Sequence, residues 1–487
     1  MALSKLQKNL HLLYRAGFGP ALEMLPQLSN QTPAQLWAQL VADSKGLPPK
    51  IEAQQTILTK ADLEKLPTEE ARRNLRQTVQ RETKQELQRL AGVWLETMIR
   101  SKAQLRERMA FFWHGHFATR ITRVDFNRDL LQIFREKGLG SFGDLLLAVS
   151  KSSAMLAFLN NQQNRKQKPN ENFAREVMEL FTLGRGHYTE KDVKEAARAF
   201  TGWAYKAIPE NSDAPNAGET EFYFRKAFHD DGEKTFLGQK GNFAGEDIIR
   251  ILLQQRQTAR FISGKIYRYF VHETPDEKRI ESLSKKFYDS GYNIAFLLEE
   301  IFTAPWFFEE KVMGNRIKSP VDLLVNISRI LPLTIGNPKG LFVLQNVLGQ
   351  TLLQPPNVAG WPMGTAWIDS SSLLLRMQLP YILAGKEALS VAPKPNDDIQ
   401  MGKKLPAEDL DIKPAFAPKL LQSEVEWGPV ENAFKDLSLA QQAAYLLVFP
   451  QKAALGAVQE AVKNLSGADR VRQSVLRLMS LPEYQLG

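Results

Sequence analysis

The 487-residue sequence contains no cysteine, which excludes a thiolate nucleophile, a structural disulfide, a cysteine-held iron–sulfur cluster and any zinc site with cysteine ligands. A long apolar run is also missing. The one stretch without charged side chains, Gly340 to Ile368, is broken by Gln345, Asn346, Gln350, Gln354, Pro355, Pro356, Gly360 and Pro362. These groups would be poorly satisfied in lipid, so no membrane span is expected. Met1 to Pro20 lacks the apolar block and small-residue cleavage site of a secretory signal, so the sequence by itself points to a cytoplasmic chain. Neither the dinucleotide-binding nor the Walker glycine pattern occurs. Ser370, Ser371 and Ser372 lack the strand–elbow–helix context of a hydrolase nucleophile.

What remains is ordinary globular material: 43% apolar residues, 63 Lys+Arg and 54 Asp+Glu, for a formal net charge of +9. At roughly 100–200 residues per domain the length accommodates two or three compact units. The positive excess would favour an anionic partner only if it were clustered. From Lys60 to Arg108 it instead alternates with acids (Glu69, Glu70, Arg72, Arg73, then Arg81, Glu82, Lys84, Glu86), as on the solvated side of a long helix. With no recognition-helix, zinc-finger or aromatic RNA-binding pattern beside it, nucleic-acid binding is disfavoured.

Helical periodicity dominates. Leu87, Leu90, Trp94 and Met98 form an apolar stripe on a helix expected from about Glu69 to Trp113. Asn170 is placed to cap a helix carrying Phe173, Val177 and Leu180 inward, with Gly184 to end it. Thr189 and Asp192 form a capping box for the next helix. The exception lies around residues 220–238. There Phe222, Phe224 and Phe228 share one parity, and Thr235-Phe236-Leu237 follows a polar turn, which predicts a β-hairpin entered by the Ile208–Gly218 loop. The expected fold is therefore all-α with one small hairpin. The expected organisation is a main domain over 1–391, a proline-rich linker or arm over 392–429, and a C-terminal helical bundle over 430–487 packed on the main domain.

Of the six histidines, His114 and His116 stand out in Phe111-Phe112-Trp113-His114-Gly115-His116-Phe117. On a continuous helix, residues two apart point to opposite sides and cannot share an ion. Gly115 is able to break the helix and let His116 turn back. The two imidazoles with a carboxylate would then form a zinc or iron site with open coordination positions. The alternative is two buried histidines, each hydrogen-bonded to its surroundings. Glu176, near the apolar side of its helix, is the better carboxylate, as ligand or general base. Its alternative is a buried pair with Arg15, Arg120 or Arg198.

Several motifs taken together resemble the bacterial family named domain of unknown function 1800. They are His11 to Gly19, Trp113 to Phe117, Asn170 to Glu176, Thr201-Gly202-Trp203, and Pro355-Pro356-Asn357-Val358 through Gly360-Trp361 to Trp367-Ile368-Asp369. The resemblance extends to Leu478–Leu486. It implies a mostly helical protein with no established reaction. Members commonly carry export signals and are often encoded beside a sulfatase-like family, domain of unknown function 1501, so a periplasmic or extracellular location is open. This chain departs in showing no signal and in having Phe181 where the motif has a histidine.

Two further groups are candidates for substrate or partner contact. His229, Asp230 and Lys234 lie on a turn whose acidic oxygens suit calcium or a polar substrate, although a bare turn needs the same residues. Trp361 and Trp367, followed by Asp369 and Arg376 as a possible pair, suit sugar stacking or a protein contact, or else seal the core. The leading expectation is a metal-dependent hydrolase or oxidase with His114, His116 and Glu176 at its centre and Arg175 or Arg15 orienting an anion. The alternatives are a non-catalytic binding or assembly partner of the sulfatase-like protein, and a glycan-binding protein.

Overall fold

In the computed structural model, residues 3–53, 60–207, 220–386 and 421–487 are described. The fold is mainly α, with small two-stranded antiparallel sheets. The apolar stripe is met: Leu87, Leu90, Trp94 and Met98 are buried on the helix Glu69–Arg100. Thr68 caps that helix and Glu69 and Glu70 occupy its first turn, where a negative charge is favoured.

The helix does not run on to Trp113. It stops at Arg100 because Ser101 adopts an extended backbone and its hydroxyl accepts from Ala103 N. The Gln104 amide then donates to the Met98 and Ser101 carbonyls that the helix end leaves open, at 2.9 and 2.7 Å. A second helix, Gln104–His116, begins there, and all of it except Gly115 is buried. Its Glu107 is paired with Arg135 at 3.0 Å and also accepts the Trp94 indole N–H at 3.2 Å.

Asn170 caps Glu171–Glu176 as expected, and the helix widens into a π-helical turn over Val177–Thr182 before Gly184, whose φ is +81°. The Thr189–Asp192 capping box is present.

Strands form in the 220–238 region as expected, but they belong to two separate sheets and not to one hairpin. Phe222 lies opposite Tyr205, in a sheet of Trp203–Ala207 with Thr220–Phe224, and Thr235 lies opposite Lys240, in a sheet of Lys234–Phe236 with Gln239–Gly241. Two local features explain this. Lys226–Phe228 is a 3₁₀ turn, which interrupts the strand. Leu237 and Gly238 both have positive φ, at 45° and 79°, the requirement of a two-residue hairpin turn. The expected Ile208–Gly218 loop lies outside the described residues, as do residues 392–420.

From Leu421 onward, Ser423–Val425 pairs with Leu333–Ile335, and the helices Trp427–Phe434, Leu439–Leu446, Lys452–Val462 and Gly467–Met479 follow. Contacts join these helices to the rest of the chain. Tyr14 donates to the Leu446 carbonyl at 2.9 Å, and Ile317 bridges Leu486. No helix among the described residues is long and apolar enough to cross a membrane.

Candidate functional site

Gly115 does not break the helix. Its φ is not among the positive values, and Phe117 N continues the ladder to the Trp113 carbonyl at 2.8 Å. His114 and His116 therefore project to different sides, as unbroken helical geometry requires. The His114 ring lies against Trp94 and Trp361, at 5.2 and 5.1 Å between centroids. Its Nε2 accepts from Leu353 N at 3.1 Å, and burial lowers its pKa from 6.5 to about 3.

His116 sits among Phe112, Trp113, Phe117 and Phe181, with Nδ1 3.2 Å from the Lys265 ammonium. Burial, reinforced by the Lys265 charge, holds the His116 ring neutral. The two rings do not converge on a common point. Among the described residues no three of His, Asp and Glu are grouped so as to hold a metal ion.

Glu176 is half-buried. Burial and the neighbouring Glu179 raise its pKa, against Arg175 and Arg185. Arg175 is taken up at the surface, donating to both Glu190 oxygens at 2.7 and 2.8 Å and to Glu171 at 3.3 Å. Arg15 lies elsewhere, fully buried, and donates to the carbonyls of Phe270, Val271 and Val312 and to Asn315. Of the expected catalytic residues, Arg175 and Glu176 thus share one helix, whereas Arg15 is held apart from them.

The turn residues are brought together, though as a closed network. His229 Nδ1 is 2.9 Å from the Thr201 carbonyl, and Thr201 Oγ1 accepts from Asp230 N at 2.8 Å. Arg198 pairs with Asp230 at 2.7 Å, while the buried Lys234 donates to the carbonyls of Asp230 and Gly232. Those carbonyls are therefore already bonded to an ammonium, and the Thr201-Gly202-Trp203 motif is tied to the His229–Lys234 turn.

Arg376 does not pair with Asp369. It donates to Gln485 Oε1 at 3.1 Å and to the Lys318 carbonyl, while Asp369 caps the helix Ser370–Leu383 through Ser372 N at 2.8 Å. Trp367 is buried, and Trp361 is half-buried with Pro362 and Met363 exposed beside it. Two surface cavities, of about 120 Å³ beside Lys151 and Thr220 and about 210 Å³ beside Arg279 and Trp306, contain none of these candidates.

What the structure does assemble is a clamp between two separated motifs. Gly360, at φ +85°, lies so close to the helix end that a β-carbon there would stand 2.3 Å from the Gly115 carbonyl oxygen. Seven residues earlier Leu353, at φ 64°, bonds His114. Gln350 Oε1 accepts from Val321 N and Gln345 Oε1 from Leu352 N, both at 3.0 Å, and fix the base of the loop. The Trp113–Phe117 motif is the floor against which the Pro355–Trp361 motif is pressed.

The family model described as Protein of unknown function (DUF1800) matches residues 11–486. The chain belongs to this family. No curated protein and no solved structure matches it. Phe181, where the resemblance leads one to expect a histidine, puts a phenyl ring 5.9 Å from the His116 ring. Nothing in the sequence pattern marks Lys265, which donates to the Leu180 carbonyl at the π-helical turn at 3.0 Å and whose pKa burial lowers to about 8.

The clamp makes the two glycines respond oppositely to the same substitution. Gly360→Ala is expected to cost at least ~1–3 kcal/mol from its left-handed backbone alone, with the contact to the Gly115 oxygen in addition. Gly115→Ala meets nothing within 4 Å and is expected to be neutral or to stabilise by ~0.5–1 kcal/mol. Urea denaturation of both variants checks the pair. Equal effects would mean that the close approach does not exist in solution.

Proposed function

We propose that this DUF1800 protein is a binding or assembly protein that presents the 354–368 loop to a protein partner, with the sulfatase-like domain of unknown function 1501 family as the first partner to test. The supporting observation is the manner in which an apolar tip is held. Met363 is 41% exposed on a loop whose base is fixed by buried hydrogen bonds and by the Gly360–Gly115 contact. A rigid aromatic and methionine surface loses little entropy on binding, which suits it to be an anchor. The histidines support this reading as parts of the scaffold: His114 holds the loop and His116 packs in the core.

Co-expression and pull-down with the sulfatase-like protein provide the test. Wild type is expected to co-purify, and Met363→Asp, which alters an exposed side chain, is expected to weaken the complex ~10-fold or more. His116→Gln should leave it intact. Absence of any complex at micromolar concentration would remove this partner, and a complex indifferent to Met363→Asp would remove the loop.

A further inference from the structure

A second feature is independent of the loop. Around Asp322 the fold gathers the guanidiniums of Arg15, Arg108, Arg316 and Arg376, together with the Lys318 ammonium. All are buried or nearly so, the Arg316 side chain being 13% exposed. Guanidiniums stay protonated in proteins, so four fixed positive charges face one buried carboxylate. Arg108 and Arg316 both pair with that carboxylate. Among the described residues Arg15 and Arg376 have no carboxylate partner. Arg15 bonds only carbonyl and amide oxygens, and Arg376 only Gln485 Oε1 and the Lys318 carbonyl. Lys318 lies between the Tyr14 and Tyr484 rings, 4.2 and 4.0 Å from their centroids, and donates to Asn326 and the Tyr484 carbonyl. Half-buried Glu273 also acts on Arg15, from further away than a pairing distance.

Carbonyl oxygens satisfy N–H groups without neutralising charge, and uncompensated buried charge is strongly unfavourable. Moreover, Arg15 Nε, Arg108 Nη2 and Arg376 Nη1 are buried donors with no acceptor among the described residues, where most buried donors are satisfied. The cluster has both surplus charge and surplus donors. Tyr484–Gly487, zipped along Arg316–Lys318, runs over the cluster, and the charge to be balanced there is that of a small anion.

We propose that this cluster binds a chloride-sized inorganic anion within the fold, held by guanidinium N–H groups of Arg15, Arg108 or Arg376 beside Asp322. The ion supplies the negative charge that the chain lacks there and is a structural ligand of the folded state.

The test uses the full chain with bromide and chloride as probes. Crystals soaked in bromide are expected to show an anomalous peak within hydrogen-bonding distance of at least one of those three guanidiniums. In solution, exchanging gluconate for chloride or bromide at constant ionic strength should raise the melting temperature saturably, as a ligand of the native state does. Arg376→Met should flatten that saturable rise, whereas the exposed Arg100→Met should retain it. No peak in the cluster at saturating bromide overturns the proposal whatever the melting curves show. A halide response identical in wild type and a folded Arg376→Met also overturns it. Should Arg376→Met fail to fold, the wild-type peak alone decides.

Discussion

Replacing Asp322 by asparagine is expected to destabilise the protein by ~3–5 kcal/mol, the range for removing one partner from a buried ion pair. The carboxylate accepts from Arg108 and, at 2.9 Å, from Arg316, and its second oxygen also takes Ser319 N at 3.0 Å to close a capping box. Burial opposes its ionisation, but Arg108 and Arg316 overcome that and hold its pKa down to about 2. Asparagine keeps the size and one acceptor but turns an amide N–H toward donors on the other side, so the loss reports the charge together with the hydrogen bonds of the oxygen replaced. As a control, Glu96→Gln breaks an exposed helical pair with Arg100 and is expected to cost under ~1 kcal/mol. Adding Arg108→Met to Asp322→Asn should recover part of the loss, because one fewer cation is then left uncompensated. Urea denaturation of the four proteins measures this. A cost for Asp322→Asn no larger than that for Glu96→Gln would show that the cluster is hydrated in solution.

That cluster illustrates which parts of the structure are legible in the sequence. Features set by neighbours along the chain are readable: the Thr189–Asp192 capping box, the Asn170 cap and the Leu87–Met98 stripe all form where their spacing puts them. Such features depend on helical period and on local donors. The end of the long helix was less visible, because Ser101 and Gln104 terminate it through side-chain bonds that no periodicity encodes. The Ser319–Asp322 capping box can be read from the sequence, but its second use cannot. Arg108 reaches Asp322 across 214 residues of chain, and only the tertiary fold brings Arg15 and Arg376 to the same place.

The candidate site divides in the same way. Sequence marks Trp113–Phe117 and Pro355–Trp361 as unusual without indicating that they touch. The backbone contact between Gly115 and Gly360 gives a physical reason for a glycine at position 360 that does not involve a metal. His114 and His116 depended on one local choice, whether Gly115 would adopt a left-handed conformation. Glycine permits that conformation without requiring it. Here the helical ladder through Phe117 prevails.

The same ladder leads to a pH dependence. His114 is neutral in the fold and accepts from Leu353 N, with its pKa lowered by burial from 6.5 to about 3. Between those values the unfolded chain binds a proton that the folded chain refuses, so stability falls as pH falls from about 6.5 toward 3. At about 1.4 kcal/mol per pH unit, the full interval amounts to ~4–5 kcal/mol from this ring alone. His11 and His116 are depressed too, each chiefly by burial, and add to the same acid-side loss. His114→Gln retains an oxygen able to accept from Leu353 N and cannot take up a proton in this range, so its stability is expected to decline less steeply below pH 6.5. The informative quantity is the difference in unfolding free energy between wild type and His114→Gln, measured in urea at a series of pH values. It should be nearly constant above pH 7 and shift steadily in favour of the variant below about 6.5. A difference that stays flat to pH 4 would mean that the ring protonates freely in the folded state, and the buried bond that fastens the 354–368 loop to the helix end would then have to be abandoned.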